Sequence, residues 1–324
     1  MPDAPTQAAT VRWRAHSGNE APYDTGLIHV RHAADADVFA CPLISLGGNF
    51  DQESWAIAGP LEHGHAEGWD YVVGRGVAFA ALHIDDGERI DQPEQIQQAA
   101  FDTYNQLFRL QRQLGLGQVQ RIWHWLSNVT AGDDDDERYR RFCRGRAEAL
   151  DANDTGMPVL PPATLVSSHQ RGLRMHALLG PTPVVPIENP RQVSAYAYPR
   201  DYGRRAPAFA RGGRVQLGNT PYLLISGTAS IVGHESRHIG DVAAQAHEAL
   251  DNVSAVMQSA ACWSDSQGLS ALQCLKAYIR DPENAAAVAD IAAERAPGVP
   301  LALLHAPLCR PELLVEFEAQ MPLA

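Results

Sequence analysis

The chain has 324 residues, 45% of them hydrophobic, with a formal net charge of −12 at pH 7. That length can bury a large core and fits two domains. No apolar run reaches the ~18 residues of a membrane helix, and the acidic balance argues against general nucleic-acid binding.

The opening residues, Met1 to Ala4, carry no basic-then-apolar leader, and Cys41, Cys143, Cys262, Cys274 and Cys309 form an odd, scattered set without a C-x-x-C pair. A cytoplasmic protein with reduced thiols is therefore expected, with no membrane partner. Lys276 is the only lysine and reads as a compositional bias.

Residues 1–26 read as a loose lead, followed by a strand at Leu27 to Val30 and an apolar run at Pro42 to Leu46. Tyr71 to Val73 and Val77 to Ile84 read as strands around the turn formers Gly74-Arg75-Gly76. A helix is predicted from about Pro93 to Leu114, with the stripe Ile96, Ala100, Tyr104, Leu107, Phe108 and Leu114. Next come a strand at Arg121 to Val129, a solvated acidic loop at Asp133 to Glu137, a helix at Arg138 to Leu150 and a strand at Leu173 to Leu179.

The second half repeats that order. A strand at Tyr222 to Ser226 leads to a helix at Asp241 to Met257, whose apolar stripe runs from Val242 through Ala246, Ala249, Leu250 and Val253 to Met257. Asp241 fits its N-cap, where a carboxylate accepts from free first-turn amides. A strand at Ala271 to Ile279, a helix at Glu283 to Ala296 and a strand at Leu313 to Glu318 follow. The matching order predicts a duplicated β-α-β-α-β unit.

Two stretches carry candidate chemistry. His234-Glu235-Ser236-Arg237-His238 is formally H-E-x-x-H, which on a helix would offer zinc two imidazoles. It lies between Gly233 and Gly240, before the apolar stripe begins, so a polar strand-to-helix loop is the preferred reading and no metal or cofactor is expected. Glu188 to Arg214 gathers six arginines with Tyr196, Tyr198, Tyr202 and Phe209, opposed only by Glu188 and Asp201. Guanidinium forks bind carboxylates and tyrosine adds donors beside an apolar face. A pocket for a small polyanion and a surface loop paired with the acidic bulk are equally good readings of that composition.

Gly240 to Gln245, Leu250 to Asn252 and Val315 to Ala319 resemble the RidA/YjgF imine-deaminase family over about the last hundred residues. A tighter resemblance is to the chorismatases. Ile187 to Pro199, Phe209 to Gly212, Ser226 to Glu235 and Leu308 to Glu316 carry it, with Arg138 to Arg146 in the first half.

This resemblance implies an α+β fold of two RidA-like units, each a sheet with helices on one face. Residues 1–180 would be a degenerate first unit, 181–220 an Arg/Tyr-rich connection lining the site, and 221–324 the catalytic unit. It also implies hydrolysis of the enol ether of chorismate to pyruvate, with 3-hydroxybenzoate, 4-hydroxybenzoate or a dihydroxycyclohexadiene carboxylate as ring product. The expected partner is chorismate alone, in a monomer or a homo-oligomer such as a trimer.

Glu316 is the expected acid. Alternation along Leu313 to Glu318 places Leu313, Val315 and Phe317 on the helix-covered face and Leu314, Glu316 and Glu318 on the other. An acid in an apolar site keeps its proton near neutral pH. By resemblance Arg146 and Arg211 take the substrate carboxylates, with a tyrosine hydroxyl beside them; Tyr202 is preferred to Tyr198 and Tyr196. Gly227 and Ala229 line the site, and Cys309 joins Glu316 as a catalytic candidate. Cys309 is similar to the hydroxybenzoate-forming members and Ala229 to the dihydrodiol-forming ones, which suggests the bifunctional subtype. RidA-type imine hydrolysis is the alternative enzyme, although an ungapped count from Glu316 puts Leu301 where RidA proteins have an arginine. A non-catalytic binding protein on the same scaffold is the third reading.

Overall fold

The computed structural model describes residues 11–16, 26–31, 39–57, 59–85, 92–153, 160–260 and 268–323. Cys262 and residues 1–10 and 17–25 of the expected lead lie outside that set. The first half runs β1 (Val11–His16), β2 (Gly26–Arg31), β3 (Ile44–Gly48), β4 (Gln52–Ile57), β5 (Glu62–Ala66), β6 (Trp69–Gly74), β7 (Val77–Ile84), α1 (Glu94–Gln113), β8 (Gln118–Leu126), α2 (Arg138–Ala152), β9 (Ala163–Val166) and β10 (Leu173–Gly180). The second runs β11 (Val185–Ile187), β12 (Gly212–Leu217), β13 (Thr220–Ala229), β14 (Ile231–Val232), β15 (Glu235–Ser236), α3 (Val242–Ser259), β16 (Cys274–Ile279), α4 (Ala285–Arg295), β17 (Leu301–His305) and β18 (Val315–Pro322).

The repeat is visible in the strand order. One sheet reads β5-β6-β7-β10-β8-β9; the other reads β11-β12-β13-β18-β16-β17 and adds β3 at its edge. In both, the last strand of the unit runs antiparallel between its neighbours and the final pair is parallel. The helical spacing of Ile96, Ala100, Tyr104, Leu107 and Leu110 buries one stripe of α1 on the first sheet. Gly145 of α2 allows the close helix crossing, because a methyl there would stand 1.9 Å from the Gln97 carbonyl oxygen. Asp241 caps α3 as predicted, accepting from Ala244 N at 3.0 Å.

Alternation sorts each sheet into two faces. Val315, Phe317, Ala319 and Met321 of β18 pack with α3, as Leu173, Met175, Ala177 and Leu179 of β10 pack with α1. The opposite faces turn inward. They meet the three-stranded sheet β1-β4-β2 on one core that includes Trp55, Phe79, Trp125, Leu178, Leu224 and Tyr278. By this register Arg174 holds the place in β10 that Glu316 holds in β18, so the acid exists in one unit only. The two large sheets are also joined along a seam, where Ala163 N donates to Ser226 Oγ at 2.9 Å and Ala210 N to the Pro161 carbonyl at 3.2 Å.

Several expectations change. Val11–His16 is a strand paired with β4, because residues of the lead complete the third sheet. β16 starts only at Cys274, after a 3-10 turn at Gly268–Ala271. β18 starts at Val315, so Leu313 precedes the strand and packs in the central core instead of under α3. The H-E-x-x-H segment is neither a helix nor a plain loop: β14 and β15 form a hairpin around Gly233, and His234 and His238 share no helix face. No helix among the described residues is long and apolar enough to cross a membrane.

Candidate active site

A cavity of about 430 Å³ opens beside the seam, with walls from both units and the connecting segment. β18 contributes Glu316, β13 contributes Gly227 and Ala229, and the loop before β18 contributes Cys309, Arg310 and Glu312. The connection supplies Tyr198, Tyr202, Phe209 and Arg211, and the first unit supplies Glu137, Tyr139 and Arg140. A smaller chamber of about 40 Å³ continues inward between Glu316, Cys309, Thr164 and Arg146.

Glu316 is 5% exposed, and no described group hydrogen-bonds its carboxyl. A β-bulge between Ile225 and Thr228 places Gly227 against it, so close that a methyl on Gly227 would stand 1.9 Å from Oε1. Burial, then the charge of Glu318, pushes its pKa up to about 8 against the pull of Arg121 and Arg211. The group is a neutral acid at pH 7.

Glu318, two residues on, faces the same way but is sealed off. It accepts from Trp123 Nε1 at 2.8 Å, Thr164 Oγ1 at 2.7 Å and the Tyr278 hydroxyl at 2.9 Å. Arg121 lies at 2.8 Å and Lys276 at 3.2 Å. Burial opposes ionisation, but Lys276, Arg121 and these hydrogen bonds hold the pKa down to about 2. The lone lysine is therefore structural: it bridges Glu318 and Glu53, the latter at 2.5 Å. Glu318→Gln leaves Lys276 and Arg121 undercompensated in the interior. The expected cost is about 3–5 kcal/mol, read from the urea midpoint. Because this carboxyl's pKa is depressed on folding, the wild type should lose its contribution as pH falls from about 4.5 towards about 2.

Arg146 and Arg211 are 2% and 4% exposed, and neither has a salt-bridge partner among the described residues. Arg211 donates to the Tyr198 hydroxyl at 2.7 Å and the Val193 carbonyl at 3.0 Å, while its Nε is buried without a partner. Arg146 rests over Phe142 and reaches Cys143 Sγ at 3.6 Å; its Nε is likewise buried and unbonded. Two guanidinia held inside without carboxylates suit an anionic ligand.

A family model described as "Chorismatase FkbO/Hyg5-like, N-terminal" matches residues 53–179. A 3-hydroxybenzoate synthase of Streptomyces hygroscopicus is 35% identical over 277 residues, 82% of this chain and 80% of that protein. The chain belongs to the chorismatase family. A chorismatase of Streptomyces rapamycinicus is 33% identical over 275 residues, 82% of this chain and 80% of its own length. A chorismatase crystal structure superposes with a TM-score of 0.83 at 28% identity, covering 97% of this chain and 99% of that one.

In this chorismatase the cavity gathers Glu316, Cys309, Gly227, Ala229, Arg211, Tyr198 and Tyr202, with Arg146 in the inner chamber. Tyr196 is not among the lining residues and is 48% exposed. Burial, then the Glu316 charge, pushes the Cys309 thiol up to about 12, so it stays protonated. The arginine-rich connection divides between its two readings. Arg200 and Arg204 bind Asp135, Arg205 binds Asp151, and Arg191 binds Glu248. Of that segment's arginines only Arg211 lines the cavity. The acidic loop is accordingly less solvated than predicted, since Asp135 anchors the connection and Glu137 faces the cavity.

Reading the sequence missed Glu137, Tyr139, Arg140 and Arg310. Arg310 is the most informative of these. Its guanidinium lies 4.1 Å from the Tyr202 ring centroid and donates to the His234 carbonyl at 2.9 Å, which fixes the hairpin over the cavity. Its adjacency to Cys309 was the available signal. Leu301, the position reached by the ungapped count from Glu316, opens β17 within the helix-covered core and does not line the cavity.

Proposed function

We propose that the chain hydrolyses the enol ether of chorismate, releasing pyruvate and 3-hydroxybenzoate, with Glu316 as general acid. One observation carries this reading: a carboxyl kept protonated at neutral pH shares its cavity with two buried guanidinia that lack carboxylate partners. The substrate brings two carboxylates and needs one proton on carbon.

Glu316 delivers its proton to the enolpyruvyl methylene, which becomes a methyl group. The adjacent carbon is left as an oxocarbenium ion, and the new Glu316 carboxylate stabilises it across the cavity. Water adds to that carbon and gives a hemiketal, losing a proton that restores the acid. Collapse of the hemiketal returns a proton to the ring oxygen and frees pyruvate, with the ring left as a diene diol. Loss of the neighbouring hydroxyl as water then yields 3-hydroxybenzoate. 4-Hydroxybenzoate would mark cleavage on the ring-carbon side of the same ether. Arg146 and Arg211 hold the carboxylates, and the Tyr198 and Tyr202 rings wall the cavity between them and the outside.

The same reading assigns residues 1–180 to a degenerate unit, 181–220 to the connection and 221–324 to the unit carrying the acid. It uses no cofactor and suits a cytoplasmic enzyme. Incubating the protein with chorismate, assaying pyruvate and resolving ring products by chromatography tests it. Pyruvate with 3-hydroxybenzoate is the expected result. Absence of pyruvate would overturn the reaction, and a dihydrodiol as sole ring product would overturn the second half.

A further inference from the structure

Beside Arg146 the first unit buries two polar side chains that the reaction above does not use. Tyr104 of α1 is 3% exposed and His124 of β8 is fully buried. The Tyr104 hydroxyl and His124 Nε2 stand 2.8 Å apart, and His124 Nδ1 lies 2.8 Å from the Thr164 carbonyl of β9. Phe142 meets both rings edge-on, and the Arg146 guanidinium lies over its ring, 5.4 Å from the centroid. One packed cluster therefore runs from Thr164 through His124 and Tyr104 to Arg146.

The proton positions in this cluster follow from its chemistry. A carbonyl only accepts, so His124 Nδ1 carries the hydrogen that meets Thr164. Burial, then the charge of Arg146, pushes the His124 pKa down to about 3, so the ring is neutral and Nε2 is a bare acceptor. Burial pushes the Tyr104 hydroxyl up to about 12, so it keeps its proton and donates it to Nε2. With that proton committed, the phenol oxygen turns its lone pairs to the Arg146 guanidinium, its hydrogen-bonding neighbour. Each bond in such a chain strengthens the next.

A neutral acceptor suits this cation better than a carboxylate would. A carboxylate in the place of the phenol would fix Arg146 and also cancel the charge that an anionic ligand needs. The phenol fixes the fork and leaves its charge intact. We propose that Tyr104 is the positioning residue of Arg146, with His124 fixing the direction of its hydroxyl. The guanidinium is thereby pre-set for a substrate carboxylate, and less side-chain freedom is lost when that carboxylate arrives. Thr164 ties this hold to the acid. Its carbonyl directs His124, while its hydroxyl accepts from Gly227 N at 3.0 Å, in the bulge packed against Glu316. The unit that lacks the acid is, by this account, the one that shapes half of the anion site.

The proposal rests on the chorismate reading and on Arg146 as a carboxylate grip, and a double-mutant cycle separates it from both. KM and kcat for pyruvate release from chorismate are measured for wild type, Tyr104→Phe, Arg146→Met and the two substitutions together. Tyr104→Phe should raise KM about 10-fold, the scale of one hydrogen bond to a charged group, with little change in kcat. In the Arg146→Met background the same substitution should leave KM as it is, because the group it positions is gone. In an Arg211→Met background it should act in full. A substitution that merely loosened the first unit would act alike in all three backgrounds. Position 124 gives a second reading. Asparagine keeps a donor near Nδ1 and loses the acceptor at Nε2, so His124→Asn should raise KM as Tyr104→Phe does. His124→Gln, which sets an amide oxygen near Nε2, should restore most of the wild-type value. An unchanged KM in Tyr104→Phe, or a rise that persists undiminished without Arg146, would overturn the assignment. Wild-type KM in Arg146→Met would overturn the grip itself. No pyruvate from wild type would overturn the chorismate reading, and this role with it.

Discussion

Replacing Glu316 by Gln is expected to lower kcat for pyruvate release by about 10²–10⁴, the usual worth of a general acid, with little change in KM. Gln keeps the shape beside Gly227 but has no proton to give to carbon. The pH dependence should point to the same group. Burial and Glu318 push the Glu316 pKa up to about 8, so the wild-type rate should hold through neutral pH and decline above about 8 as the acid ionises. The stability effect has the same direction. The folded carboxyl binds its proton more tightly than an unfolded Glu of model value 4.5. Raising the pH from about 4.5 through about 8 therefore costs the folded state, because the unfolded carboxyl ionises while the folded one keeps its proton. Gln removes that cost, and Glu316→Gln should be no less stable than wild type at pH 8.5. Inactivity with an undiminished unfolding midpoint identifies a lost proton donor; inactivity with a lowered midpoint would point to damaged packing instead.

The sequence revealed the sheets and helices wherever periodicity was strong, as in α1 and α3, where one stripe per helix packs on a sheet. It also placed Glu316 on the face away from α3, because alternation of Val315, Phe317 and Ala319 leaves no other choice. Other elements lacked a local signal. Strands β12 and β15 are short and carry glycine or charge, and their pairing is set by neighbours distant in sequence. Lys276 could not be read as structural from composition, since its partners Glu53 and Glu318 lie far away in the chain. The same limit governed the connection. Six arginines in one stretch look alike until Asp135 and Asp151 claim three of them and leave Arg211 turned into the cavity.

Arg146→Met and Arg211→Met are expected to weaken substrate binding strongly without weakening the fold. Each variant strands one substrate carboxylate in a largely buried site. The loss should be about 2–5 kcal/mol, or roughly 30- to 4000-fold in KM. Stability should move the other way. A guanidinium 2% or 4% exposed with no carboxylate partner pays for its burial in lost hydration. Met retains much of the apolar stem, which for Arg146 lies against Phe142. The thermal midpoint of each apo variant should therefore equal or exceed that of wild type, as for binding groups whose requirements oppose those of folding. Arg121 marks the contrast. It is equally buried, but it is bonded to Glu318 at 2.8 Å and to Thr164, and such a pair serves the interior. Added chorismate should raise the midpoint of wild type by mass action and raise that of either Met variant far less at the same concentration. A Met variant that unfolded early while keeping wild-type KM would make its arginine a structural cation, and the anion site would then have to be sought at Arg310 and Arg140 on the outer wall.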